Sequence, residues 1–105
     1  MEFLVEFVVN VPDGTPESEV NDRQNAEAAG AAELARDGHL LRVWKVVAAD
    51  EAKVLGLYRA DSGAQLEDLL RALPLYDWMR VTVTPLEPHP NDPAATGAIH
   101  EQSPS

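Results

Sequence analysis

The chain has 105 residues, no cysteine and a formal net charge of −10 at pH 7. That length fits one domain with a single modest core, and the missing thiols exclude disulfides, cysteine nucleophiles and cysteine-based metal sites. The acidity argues against a nucleic-acid surface, which needs clustered Lys and Arg. A bound anion would depend on a local site among only eight Lys and Arg residues.

Residues 2–11 alternate, with Phe3, Val5, Phe7, Val9 and Val11 on one face and Glu2, Glu6 and Asn10 on the other. This is the pattern of a half-buried strand. The acidic residues in that run and its break at Asn10 and Pro12 are unlike a signal peptide, and no segment approaches the ~18 apolar residues of a membrane span. The expectation is a cytoplasmic protein without a membrane partner.

Pro12-Asp13-Gly14-Thr15-Pro16 is a turn cluster, and a first helix is predicted from about residue 16 to Asp37, stopped by Gly38. At about 100° per residue, Val20, Gln24, Glu27, Ala28, Ala31, Leu34 and Ala35 share one side. Glu27 therefore interrupts the apolar stripe. A carboxylate turned towards a sheet is costly unless paired, hydrogen-bonded or protonated. It is either half of an ion pair, for which Arg23 stands one turn earlier, or a base held partly out of water.

Residues 40–48 and 53–60 read as two more strands joined around Asp50-Glu51. In strict alternation Lys45 shares a face with Leu41, Val43 and Val47, and Arg42 shares the other with Leu40, Trp44 and Val46. Either cation could meet a carboxylate ligand, or simply snorkel to water. Tyr58 and Trp78 read as core or interface aromatics, and His89 as a surface histidine in a Pro-rich loop.

Ser62 is a candidate N-cap for a second helix through Leu73, with Leu66, Leu69, Leu70 and Leu73 buried and Pro74 ending it. A fourth strand spans 79–86. The order βαββαβ is that of an α+β, ferredoxin-like domain over 1–87, with an antiparallel sheet and two helices on one face. Residues 88–105 form a polar, Pro-rich tail that could lie on a neighbouring subunit. The second sheet face is too apolar for water and predicts oligomerisation. His39, His89 and His100 form no ligand motif, so no metal and no cofactor is implied.

The segment Leu73-Pro74-Leu75-Tyr76-Asp77-Trp78-Met79, followed by Val81, Val83, Pro85-Leu86 and His89-Pro90-Asn91-Asp92-Pro93, resembles the muconolactone Δ-isomerase family. So do the opening Met1-Glu2-Phe3-Leu4-Val5 and the block Gly38-His39-Leu40-Leu41-Arg42-Val43-Trp44-Lys45. Glu27 falls at that family's helix-one glutamate, and Lys45 stands where Arg is common. The resemblance covers about residues 1–93. It implies a cofactor-free isomerase, assembled as a homodecamer, that converts muconolactone, a small anionic lactone, to 3-oxoadipate enol-lactone in aromatic-ring catabolism. On that implication Glu27 shuttles the proton, Arg23, Arg42 and Lys45 are candidates for binding the substrate carboxylate or enolate, and Tyr58, Trp78 and His89 line the site, with His89 near a subunit boundary. A lactone dehalogenase or monooxygenase on the same scaffold, or a non-catalytic ligand-binding module, are the alternatives.

Overall fold

A computed structural model of the chain describes residues 1–47 and 50–94. The expected tail from Pro88 onward is therefore described only to Ala94, and His100 lies outside the described residues. The elements are β1 (Glu2–Val9), α1 (Glu17–Arg36), β2 (Leu40–Lys45), β3 (Lys53–Arg59), α2 (Gly63–Arg71), a single 3₁₀ turn at Tyr76–Trp78, and β4 (Met79–Leu86). The predicted order βαββαβ holds, and the 3₁₀ turn is an addition. No described helix is long and apolar enough to cross a membrane.

The sheet order is β2-β3-β1-β4 and every neighbouring pair is antiparallel. Central β1 places Phe3, Val5 and Phe7 on the helix side, where they pack with Tyr58 of β3, Leu34 of α1, and Leu66 and Leu70 of α2. Fully burying side chains of this size stabilises by about 1.5–3 kcal/mol each, so β1 and α2 hold the core together.

Local signals set the helix ends. The Ser62 hydroxyl accepts from the Gln65 N–H at 3.1 Å, the predicted N-cap. At the end of α1, Gly38 takes φ +82°. Its N–H donates to the Ala35 carbonyl at 3.1 Å and that of His39 to Leu34 at 2.9 Å, a Schellman closure that turns the chain directly into β2.

Strict alternation fails in β2. Leu40 pairs with Tyr58, but Arg42 pairs with Leu57, so Leu41 is an extra residue in a β-bulge. Leu40 is consequently buried on the helix face, while Arg42 and Trp44 turn to the outer face and Val43 and Lys45 to the helix face. The expectation that Leu40 shares a face with Arg42 and Trp44 is corrected by that one insertion.

The outer face carries Leu4, Leu55, Leu57, Trp44 and Leu86, interspersed with ion pairs between Glu2 and Arg59 at 3.1 Å and Glu6 and Lys53 at 3.6 Å. Arg80 of β4 reaches Glu51, before β3, at 3.3 Å, a pairing that has to cross β1. It does so near Val8, which is buried between the partners Lys53 and Arg80.

Candidate active site

Helix α1 covers the sheet with a row of small side chains. Among the residues of the predicted stripe only Leu34 is buried; Ala28 and Ala35 are exposed and Ala31 half-buried. Alanines are too short to fill the gap beneath a helix. The space they leave is a cavity of about 300 Å³, within the size range of small-molecule sites. Its roof is Gln24, Glu27, Ala28 and Ala31 of α1; its floor is Phe7, Val9, Leu40, Val43, Val54, Gly56 and Tyr58 of the sheet; Leu75 and Met79 close one side.

Glu27 stands in this apolar wall, half-buried. Its Oε1 accepts the Leu75 N–H at 3.0 Å. No described Lys or Arg pairs with it. Burial raises its pKa above the usual glutamate value, and the Leu75 hydrogen bond offsets part of that rise. The result is a carboxylate held in place by a neutral donor, and more basic than one in water.

Arg23 does not neutralise Glu27, although the spacing permits it. It is drawn away by three other partners: the Glu19 carboxylate at 3.6 Å, the Pro74 carbonyl at 3.3 Å, and the face of Trp78, whose ring centroid lies 4.4 Å from the guanidinium carbon. Arg23, Glu27 and Gly30 thus form one edge of α1 against residues 73–78, with Gly30 close enough to Leu73 and Pro74 that a methyl there would just touch both. Trp78 is buried in that seam and does not line the cavity.

The other sequence-predicted residues separate. Tyr58 lines the cavity. Lys45 is exposed at the end of β2, on the same side as the cavity residues Val43 and Val54. Arg42 lies on the opposite face over Trp44, at 5.0 Å from its ring centroid. His89 is exposed beyond β4, where its Nδ1 accepts the Asn91 N–H at 2.9 Å. The structure therefore brings together Glu27 and Tyr58, leaves Lys45 nearby, and puts Arg23, Trp78, Arg42 and His89 outside the cavity lining. Sequence reasoning missed the Leu75 N–H, which no side-chain pattern reveals. It also passed over Gly56, although a glycine inside an aromatic-rich strand is a signal of close approach.

A model of the muconolactone delta-isomerase family matches residues 1–92. The chain is 33% identical over 91 residues to the muconolactone Delta-isomerase of Cupriavidus pinatubonensis, covering 87% of this chain and 97% of that protein. It is 32% identical over 91 residues to muconolactone Delta-isomerase 1 of Acinetobacter lwoffii, with coverages of 87% and 93%. Among solved structures, a muconolactone isomerase matches with a TM-score of 0.77 at 25% identity, over 87% of this chain and 93% of that one. A 5-chloro-2-hydroxyhydroquinone dehydrochlorinase from Burkholderia phenoliruptrix shares the fold, with a TM-score of 0.63 at 14% identity, over 85% and 96%.

Proposed function

The chain belongs to the muconolactone delta-isomerase family, and from that premise we propose that it shifts the ring double bond of muconolactone with Glu27 as the proton shuttle. The observation that carries the residue assignment is a half-buried carboxylate in an apolar cavity, oriented by the Leu75 N–H and paired with no described cation. A proton leaves the γ carbon of the unsaturated lactone for Glu27. The electron pair spreads through the ring alkene to the lactone oxygen, giving a dienolate. Glu27 then returns the proton at the α carbon. Desolvation favours the abstraction, because it makes the carboxylate a better base, and the resulting carboxylic acid holds the proton beside the ring until the dienolate takes it back at the α carbon.

The substrate's own carboxylate meets no cation among the described residues of the cavity lining. Lys45, at the edge beside Val43 and Val54, is the candidate for that charge. The outer sheet face, with Leu4, Leu55, Leu57 and Trp44, suits burial against further copies of the chain. The functional form is accordingly a homo-oligomer, a decamer by the family resemblance.

The test is an ultraviolet assay of muconolactone isomerisation on the protein and on Glu27→Gln, which keeps the side-chain oxygen for the Leu75 N–H. Loss of general-base catalysis lowers kcat by about 10²–10⁴-fold. A folded Glu27→Gln protein with near wild-type kcat would sink the assignment.

A further inference from the structure

The cavity holds few groups able to donate a hydrogen bond. Among its lining residues, Glu27, Gln24 and Tyr58 have polar side chains apart from the Met79 thioether. Gln24 is exposed on α1. Tyr58 is 4% exposed, yet its hydroxyl makes no hydrogen bond to any described residue. No sealed side-chain oxygen or nitrogen among the described residues lacks a partner. The Tyr58 hydroxyl is therefore not sealed in the core; it opens on the cavity it lines.

Its position is fixed from below. Tyr58 and Gly56 share the helix face of β3, and the Tyr58 Cε1 lies only 2.6 Å from where a Cβ at position 56 would stand. The ring occupies the space that Gly56 leaves empty. The edge of Phe7 packs against it with centroids 6.1 Å apart and planes at 60°. Burial first, and then the nearby negative charge of Glu27, push the phenol up to about 12, so it keeps its proton at neutral pH.

We infer that Tyr58 is a catalytic residue, donating a hydrogen bond to the lactone oxygen on which negative charge gathers while Glu27 holds the abstracted proton. The inference rests on the Glu27 reading for its timing. The γ C–H bond breaks, its proton goes to the Glu27 carboxylate, and its electron pair moves through the ring to the carbonyl oxygen. Tyr58 shares its O–H with that oxygen and keeps the proton. When the proton returns at the α carbon, the charge leaves the oxygen and the hydrogen bond weakens. A donor that is aimed beforehand and sheltered from water favours the dienolate over the substrate.

Tyr58→Phe removes one oxygen that has no partner among the described residues, so the fold and melting temperature are preserved. The expected result is a kcat lower by on the order of 10²-fold, the cost of one such donor, with KM within about threefold. A second arm uses tetronate, a five-membered-ring enolate that carries charge on its lactone oxygen and needs no proton abstraction. It should bind Tyr58→Phe at least about tenfold more weakly than the wild type. In wild-type protein carrying ¹³C-labelled tyrosine, the Tyr58 Cζ resonance should shift on tetronate binding, an arm independent of any substitution. A Tyr58→Phe enzyme with kcat within about twofold of wild type, or an unchanged tetronate affinity, or an unmoved Cζ resonance, overturns the donor assignment. Full turnover by Glu27→Gln overturns the base assignment instead, and the tetronate arm still reads Tyr58.

Discussion

The Leu75 backbone N–H donates to Glu27 Oε1 at 3.0 Å, and the preceding carbonyl, that of Pro74, accepts from Arg23 Nη1 at 3.3 Å. Two consecutive main-chain positions thus grip two residues one helical turn apart, with opposite polarity. The carboxylate receives a donor and the guanidinium an acceptor. This arrangement keeps Arg23 from pairing with Glu27, and so leaves the carboxylate with a neutral donor, as the proposed proton shuttle requires.

The activity should carry that environment in its pH profile. Burial raises the Glu27 pKa, and the Leu75 N–H only partly reverses the rise. In the proposed shuttle the ionised form is the base, so kcat/KM should climb as pH rises through the Glu27 pKa and then level off. The inflection should lie above that of an exposed glutamate, which titrates near pH 4.3. A kcat/KM profile that is already flat from about pH 4 upward would contradict a desolvated base.

The same shift has a cost for folding. A carboxyl whose folded-state pKa is raised stabilises the protein below its unfolded pKa, and that contribution is lost as pH rises through the folded value. At neutral pH the buried negative charge is therefore a liability. Glu27→Gln should melt at a higher temperature than the wild type at pH 7, and the gain should shrink towards zero below about pH 4. Thermal unfolding of both proteins at the two pH values checks this; a lower melting temperature at pH 7 would mean that ionised Glu27 stabilises the fold.

Gly56→Ala should disable the site without touching a polar group. The added methyl would stand 2.6 Å from Tyr58 Cε1 and 3.5 Å from Phe7 Cε2, so the phenol ring has to swing away. Overpacking of this kind costs about 1–3 kcal/mol. Turnover should fall by at least about tenfold, since a misplaced group forfeits most of its effect. Thermal melting and muconolactone kinetics read the two effects; an unchanged kcat would show that the ring position is irrelevant to turnover.

Neutralising Lys45 separates the two faces of the sheet. Lys45→Met should raise KM for muconolactone several-fold, by roughly 3–10, and leave kcat close to wild type, the signature of a contact made equally in ground and transition states. Arg42→Met, on the opposite face, should change KM less. If Arg42→Met has the larger effect, the anchoring charge comes from the outer face of the sheet, and hence from a neighbouring copy.

The fold was legible because each local signal agreed with the global pattern: the alternation of β1, Ser62 at the start of α2, Gly38 after α1, and Pro74 beyond α2. Glu27 was legible as a break in periodicity. Its true partner was not, because a backbone N–H forty-eight residues away leaves no trace in composition. The i, i+4 spacing pointed to an Arg23–Glu27 pair, but spacing cannot weigh Trp78, Glu19 and the Pro74 carbonyl, which together hold the guanidinium elsewhere. The cavity was hidden for a different reason. Alanines on α1 look like ordinary helix formers, and only packing against the sheet reveals how much room they leave.

The extra residue at Leu41 has a consequence for how such chains diverge. Beyond it, every side chain of β2 is displaced by one step, which seats Val43 over the cavity floor with Lys45 at its rim and sends Arg42 and Trp44 to the far side. Straightening the bulge with Leu41 kept in the ladder would exchange the two sets and bring an arginine and an indole to the ligand, whereas removing Leu41 would leave every other pair of the strand in place. Charge and bulk at the entrance are thus governed by where the strand bulges as much as by its letters. A change that removed the bulge at unchanged length would rewrite ligand preference more thoroughly than any one substitution along the same strand.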